Sequence, residues 1–297
     1  CSLWWQDTPE YATSHHPQDM RDATGAIGHY GAVDTTVARL MLNRACDLLE
    51  KEGCGLAIAP MDGNTWRSYR FVTDSMMATA RGIPEPPFFL EPQHPASWPN
   101  QLIAAGFSPL SHYSSALVTD LTRADPRLAR VQQRWVDRHI QLRPLRWEQF
   151  EAELRRIYDL SLVGFRQNFL YTPISWADFL DLYRPVKPYV QPDLVLLAEQ
   201  ESTLVGFLFA IPDLLQRQRG GTIDTVILKT VAVLPHRSYA GLGALLVHRC
   251  HQIAHDMGFR RVIHALMYDG NVSRNLSDRY AHPIRRYTLF AQKLDPN

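Results

Sequence analysis

The stretch from Asp224 to Gly258 constrains the fold most, because it has the pattern of a strand, a glycine turn and a helix. Its first part is apolar and β-branched, which favours a buried strand, and a proline ends that strand. Gly241 and Gly243 follow where a helix should begin. From Leu242 onwards, apolar residues recur on one helical face. The stretch therefore predicts a strand–turn–helix unit of an α/β protein.

A glycine turn at the start of a helix exposes backbone N–H groups beside the positive end of the helix dipole, where phosphate binds. Here Val-x-Leu-Pro and a basic residue precede Gly-x-Gly-Ala. This pattern resembles the acetyl-CoA loop of the GNAT acetyltransferase superfamily, Gln/Arg-x-x-Gly-x-Gly/Ala after the fourth strand. Ser238 stands where Gln or Arg is usual, and Arg237 lies one place early. The alternative is a tight turn of another α/β protein.

The resemblance implies that acetyl-CoA is the acetyl donor and that backbone groups near Val231 and Val233 pair with its pantetheine arm. In the family an Asn at the start of the next helix also bonds this arm, and Asn271 matches it. The expected cofactor-binding residues are therefore Val231, Ala232, Val233, Arg237, Ser238, Tyr239, Ala240, Gly241, Leu242, Gly243, Ala244 and Asn271.

The resemblance also implies a tyrosine that protonates the leaving thiolate. Tyr280 is nearest by spacing, although the usual position counted from Asn271 falls on Asp278, and Tyr287 is the second candidate. A tyrosine hydroxyl, with a pKa of about 10, suits a thiolate of similar basicity. The alternative is that Tyr280 is a packing residue.

The base that accepts the proton of the amine is less specified by the sequence. Three candidates lie at or in strands near the expected cleft: Glu199, Asp224 and His264. Of these, we predict His264 as the catalytic residue. A lone histidine on a strand face is more often a core residue with satisfied hydrogen bonds. Many GNAT sites use a chain of waters instead.

Three histidines at helical spacing, His248, His251 and His255, form a pattern that in other settings binds zinc. They lie opposite the apolar stripe of their helix, so we expect them to face solvent. No Glu follows the first histidine in the metalloprotease manner. We therefore predict no metal site.

The order of predicted elements from residue 139 to 294 matches the full GNAT order, and residues 1–121 repeat part of it loosely. We expect an α/β (α+β) protein of two GNAT-like domains, each a mostly antiparallel mixed sheet flanked by helices. The predicted boundaries are 1–121 for a truncated or degenerate domain, 122–138 for a helical connector and 139–297 for the acetyltransferase domain.

The first half lacks a phosphate loop, because Asp34 stands at the start of its long helix and would repel a pyrophosphate. We expect this half to be a non-catalytic partner that packs on the second half or lines its cleft. Trp66, Tyr69 and Arg70 are candidates to face that cleft, and ordinary packing is the alternative.

Charge and cysteine content exclude several classes of protein. The formal net charge of +1 on 297 residues indicates no excess of positive charge for binding nucleic acid or an acidic membrane. The four cysteines have no CxxC spacing, which indicates reduced thiols and a cytoplasmic location.

The chain starts at Cys1 without Met, so we expect a fragment that begins inside a domain, rather than a lipoprotein cysteine.

The function implied is transfer of an acetyl group from acetyl-CoA to a primary amine of a small molecule or peptide. One alternative is a degenerate pair of domains that binds acyl-CoA or a partner without turnover. Another is a transferase that uses aminoacyl-tRNA, although the near-zero net charge argues against an RNA-binding surface. The sequence does not predict the oligomeric state.

Overall fold

The computed structural model describes residues 1–9, 23–76, 84–123, 125–270 and 277–295. In the first half the chain forms four short strands, one long strand and a long helix. Its elements are β1 (Ser2–Trp4), β2 (Thr24–Gly28), α1 (Thr35–Lys51), β3 (Leu56–Ala59), β4 (Phe71–Ser75), α2 (Trp98–Ala104) and β5 (Ser108–Val118), followed by α3 (Arg127–Asp137).

The second half adds longer strands and the glycine-turn unit. Its elements are β6 (Ile140–Pro144), α4 (Phe150–Gly164), α5 (Trp176–Tyr183), β7 (Val195–Gln200), β8 (Thr203–Pro212), α6 (Leu214–Gln218), β9 (Thr225–Val233), α7 (Leu242–Asp256), β10 (Arg261–Tyr268) and β11 (His282–Lys293). The predicted strand, turn and helix of the central stretch are thus β9, the loop 234–241 and α7.

All the described strands belong to one mixed sheet in the order β1-β2-β3-β11-β5-β10-β9-β8-β7-β6, with β4 also paired to β11. Alternate residues of β7 pack on opposite faces: Leu196 contacts the core under α7, and Leu197 contacts the core under α4. Helices therefore cover both faces. The predicted fold class, a mixed sheet flanked by helices, is confirmed.

The two halves exchange their last strands. β11 ends the second half but pairs with β3 and β5 of the first, with Phe290 opposite Ala59. β5 in turn pairs with β10 of the second half, with Val118 opposite Val262. The boundaries at residues 121 and 139 stay a prediction, and the sheet runs through them without a break.

Two short segments are shaped by polar side chains. Residues 64–69 form turns, and the Asn64 side chain accepts a hydrogen bond from the nearby Trp66 N–H at 3.0 Å. The short helix α6 follows β8. Asp213 caps that helix by accepting from the Leu215 N–H at 3.2 Å.

The four cysteines are free thiols, as their spacing predicts. Within the described ranges no helix combines the length and the hydropathy that crossing a bilayer requires.

The shared sheet predicts that damage to β11 destabilises both halves together. Leu289 is fully buried in β11, so Leu289→Ala should lower the free energy of unfolding by about 2–5 kcal/mol. Circular dichroism during urea unfolding should show a single transition at lower urea. Leu40→Ala in α1, where the side chain is 68% exposed, is the control and should change little. Two separate transitions, with one of them unmoved, would contradict the shared core.

Candidate functional site

The parallel strands β9 and β10 separate halfway along their length. They pair from Thr225 and Arg261 as far as Leu228 and His264, and no pairing follows. β9 continues beside β8 to Val233, while β10 continues beside β5. Among the described residues, the edge of 230–233 that faces β10 therefore has no strand partner. The resemblance to the GNAT superfamily predicts that the pantetheine arm pairs with this edge.

A β-bulge lies where the two strands separate. On β8, Phe209 is opposite Thr230 and Ala210 is opposite Leu228, so Lys229 is an extra residue with no opposite partner. A bulge of this kind bends a strand and increases its twist, which turns the end of β9 away from its neighbour.

The loop after β9 presents free amides at the start of α7. Gly241 is the N-cap of the helix, in a left-handed conformation with a φ of 94°. Because glycine has no side chain, no capping side chain accepts a hydrogen bond from the first turn. No described residue accepts a hydrogen bond from the N–H groups of Gly241, Leu242, Gly243 or Ala244. Consecutive free amides at a helix N-terminus fit the pyrophosphate of acetyl-CoA.

Gly241 and Gly243 have different surroundings. A Cβ on Gly241 would lie 3.1 Å from Cγ1 of Val131, in addition to the strain of its positive φ. A Cβ on Gly243 would make only ordinary contacts, at 3.7 Å from Val231. A substitution at Gly243 therefore tests the loop without forcing the backbone to move.

The helix α3, predicted only as a connector, packs against this loop. Arg138 donates from Nη1 to the carbonyl oxygen of Ser238 at 2.8 Å. Trp135 stacks on Tyr239 with ring centroids 6.3 Å apart. Arg134 is exposed and lies one helical turn after Val131, the residue nearest to Gly241. α3 thus brings cationic side chains to a loop that lacks the usual Gln or Arg.

The first half repeats this order of elements. β2, α1 and β3 follow in the same order as β9, α7 and β10, and β2 pairs with β3 in parallel. Asp34, however, caps α1, and its carboxylate accepts from the N–H of Val37 at 2.8 Å. A carboxylate occupies the position that an anion would need, as the sequence indicates.

His264 lies in the core beneath α7. Its Nε2 is 2.9 Å from Nε2 of His251, and its Nδ1 is 2.9 Å from the hydroxyl of Ser277. Burial lowers the pKa of His264 to about 4, and burial with the neighbouring histidines lowers the pKa of His251 to about 3. Both rings are therefore neutral at pH 7. Because His264 is 4% exposed, the structure does not place it in an open cleft.

The expectation that the histidine row faces solvent is wrong for His251, which is 1% exposed because His264 supplies a hydrogen-bond partner inside the core. His255 is exposed as predicted. The described part of the chain contains no cluster of three potential metal ligands.

The histidine pair predicts a loss of stability in mild acid. In the unfolded chain both rings bind protons below their ordinary pKa of 6.5, but in the folded protein they resist protonation until about pH 4. The pair's contribution is therefore full above pH 6.5 and falls as the pH drops towards 4. Urea unfolding at pH 7 and pH 5 should show a smaller pH dependence for His264→Gln than for the wild type. His255→Gln should keep the wild-type dependence, and equal slopes in all three proteins would refute the explanation.

The two tyrosine candidates lie in different cores. The hydroxyl of Tyr280 is buried without a hydrogen-bond partner in the described chain, and burial raises its pKa. Tyr287 is fully buried, and its hydroxyl donates to Glu91 at 2.5 Å and contacts Ser115 at 2.9 Å. Burial, followed by the charge of Glu91, raises its pKa well above 10. Asn271 lies outside the described residues.

Neither alternative carboxylate is free to act as a base. Glu199 lies 2.7 Å from Arg143 and 2.5 Å from Arg156, and the hydrogen bond from Arg143 is the main reason that its pKa falls to about 2. Asp224 lies at the far end of β9 from the gap, where it accepts from Gln216 at 2.7 Å.

The candidates from the first half reach the second half. Trp66 donates from Nε1 to the carbonyl of Thr172 at 2.7 Å and packs against Phe165. Arg70 donates to the carbonyl of Leu266 on β10. Lys229 is not among the site residues predicted from the sequence, although it is the one charged residue of an otherwise apolar and hydroxyl-bearing strand.

No family model matches this sequence, and no curated protein matches it. Solved structures do resemble the fold. A GCN5-related glucosamine N-acetyltransferase region of a fungal multi-domain GH3 β-N-acetylglucosaminidase has a TM-score of 0.55 at 12% identity, over 85% of this chain and 27% of that chain. A GCN5-related N-acetyltransferase from Sphaerobacter thermophilus has a TM-score of 0.48 at 16% identity, over 68% of this chain and 58% of that chain.

A tandem GNAT protein from the clavulanic acid biosynthesis pathway aligns over 92% of this chain and 76% of its own, with a TM-score of 0.48 and 13% identity. The chain spans 58% of the Sphaerobacter protein and about a quarter of the fungal one. Identities at this level describe architecture alone. The fungal match, with a TM-score of 0.55, agrees with the separated parallel strands and the glycine turn, and shows that this chain has the fold of that GCN5-related N-acetyltransferase region.

Proposed function

We propose that this protein transfers an acetyl group from acetyl-CoA to a primary amine. The observation that carries the proposal is the continuity of the site. The unpaired edge of residues 230–233 leads directly to the free amides of Gly241–Ala244. An extended amide chain that ends in a pyrophosphate has complementary groups for both parts.

Each part of the site has a role in this reaction. The edge at Val231–Val233 holds the pantetheine arm as an added strand, and the amides at Gly241–Ala244 hold the pyrophosphate. Arg134 and Arg138 on α3 supply the positive charge that Ser238 does not. Acetyl-CoA, when bound, supplies the acetyl group as a thioester. The bond to the amine nitrogen forms as the bond to sulfur breaks, so the amine loses a proton and the thiolate gains one.

Tyr280 is the first choice for the residue that returns this proton to the thiolate. Its hydroxyl has no partner to compete for its proton, whereas the hydroxyl of Tyr287 already donates to Glu91. The Tyr280 hydroxyl is enclosed in this conformation, so the side chain must rotate for the hydroxyl to reach the gap.

The second candidate function is binding of acyl-CoA without turnover. It is favoured by the burial of both tyrosine hydroxyls and of His264, which leaves the gap without an accessible acid or base from the predicted set. Small molecules and peptides stay equally open as acceptors, and the cytoplasmic location and the absence of a nucleic-acid partner stay predictions.

Thermal melting with and without acetyl-CoA tests the cofactor site. At a concentration of about 100 times Kd, one-site binding adds roughly 2.7 kcal/mol and should raise the Tm by several degrees. In Gly243→Asp the shift should disappear, because the carboxylate repels the pyrophosphate, while the dipole of α7 stabilises the unliganded protein. Gly243→Asn, of matched size, should keep most of the shift. A full shift in Gly243→Asp would refute the loop assignment.

Replacing each tyrosine separates a chemical role from a structural one. In Tyr280→Phe, turnover should fall by about tenfold or more. The free energy of unfolding should stay unchanged, because the hydroxyl makes no hydrogen bond in the described chain. Tyr287→Phe should instead destabilise the protein by about 1–3 kcal/mol, because Glu91 loses a buried hydrogen bond. Initial rates of thiol release and urea unfolding measure the two effects. Full activity in Tyr280→Phe would remove it from the mechanism.

A further inference from the structure

Lys229 is a basic residue near the centre of the sheet, and it has no side-chain partner among the described residues. It is the extra residue of the bulge in β9, at the point where β9 and β10 separate. Its side chain is partly buried, and within the described ranges it makes no hydrogen bond and no ion pair. A lysine in this position interrupts an apolar strand and needs a compensating interaction.

The surroundings of Lys229 do not support its charge. Burial, and then the positive charge of Arg70, lower the pKa of Lys229 to about 7, and Glu91 opposes this shift. Glu91 is already engaged, because it lies 2.9 Å from Arg285 and accepts from the hydroxyl of Tyr287. This carboxylate is therefore not available to pair with Lys229 or Arg70.

Arg70 is a second basic residue, and no described carboxylate pairs with it. Its side chain is packed between two aromatic rings, with its guanidinium carbon 4.0 Å from the ring centroid of Tyr69 and 4.3 Å from that of Tyr113. Nη1 donates to the carbonyl of Leu266 at 3.3 Å. The residue is only 8% exposed, and its Nε is buried with no hydrogen-bond acceptor in the described chain.

The backbone at Arg70 is also unusual, because its φ of 72° lies in the left-handed region that favours glycine. Residues held in such a conformation are frequent where a site needs a fixed side chain. The rings and the Leu266 carbonyl fix this guanidinium but leave most of its donors unused.

The two cations lie on the two sides of the same gap. Leu266, which holds Arg70, is on β10 just beyond the last paired residue, His264. Lys229 is on β9 immediately after its last paired residue, Leu228. A group that enters between the separated strands therefore has a basic residue beside each strand.

We propose that Arg70 and Lys229 bind a carboxylate carried by one of the two reactants, either the amine acceptor or the acyl group of the donor. This inference rests on the proposed acyl transfer, since the gap is where the thioester would lie. A carboxylate accepts hydrogen bonds from both a guanidinium and an ammonium, and it restores the charge balance that the protein leaves open. The predicted substrate class is thus an amino acid, or an amine paired with a dicarboxylic acyl donor.

Matched substrates test the inference. Each amino acid is compared with the amine that its decarboxylation gives, such as lysine with 1,5-diaminopentane, using acetyl-CoA as donor. Succinyl-CoA is then compared with acetyl-CoA on the decarboxylated amines. We expect one carboxylated reactant to raise kcat/KM by about tenfold or more, the effect of a charged hydrogen bond. A preference among acceptors places the carboxylate on the amine, and a preference among donors places it on the acyl group.

Variants identify the residues responsible. Lys229→Gln should abolish the preference while acetyl-CoA still raises the Tm. Arg67→Gln should keep it, because Arg67 is exposed and its ion pair with Asp178 is on the surface. Equal kcat/KM for both members of every pair, with turnover present, would overturn this inference and leave acyl transfer intact.

A labelling experiment covers the case in which no amine is acetylated. The lysines of the chain are Lys51, Lys187, Lys229 and Lys293, so peptide mass spectrometry can follow each one after treatment with an amine-reactive reagent. Amino acids or succinyl-CoA should slow the labelling of Lys229, whereas the matched amines and acetyl-CoA should not, and exposed Lys51 and Lys293 serve as references. Protection of Lys229 without turnover would support the carboxylate site and reject acyl transfer. Equal labelling under all conditions would overturn the site.

Discussion

The pairing of β5 with β11 is the interaction on which the rest of the structure depends. Each of these strands ends its own half of the chain and lies beside strands of the other half. The exchange joins two incomplete sheets into one, and it leaves neither half with its own complete core. It also brings residues 60–75 of the first half to the gap in the second, which is how Arg70 reaches β10.

The gap itself follows from a local irregularity. One extra residue at Lys229 bends β9, and the irregular pairing of β10 after His264 takes that strand towards β5. The strands therefore separate without a break in the sheet. The same irregularity places the only lysine of β9 at the opening, so the shape of the site and its charge have a common origin.

The polar groups of the core divide into satisfied and unsatisfied sets. His251, His264 and Ser277 form a closed chain of hydrogen bonds, and Glu199 is neutralised by two arginines. These groups stabilise the fold and have little capacity left for chemistry. Arg70, Lys229 and the amides of the glycine loop keep unused donors, and all of them lie along the opening between β9 and β10. Donors without acceptors are complementary to an anionic ligand.

Local sequence patterns predicted the strand–turn–helix around Gly241, the long helix of the first half, and the carboxylate at the start of α1. These depend on hydrophobic period, glycine and capping residues within a few positions of one another. The tertiary structure alone decided the strand exchange, the buried partner of His251, the contact of α3 with the loop, and the approach of Arg70 to the gap that Lys229 borders. Such contacts join residues more than ten positions apart, and in most cases more than a hundred. Their pairing is fixed by the packing of the whole sheet, which no local pattern encodes.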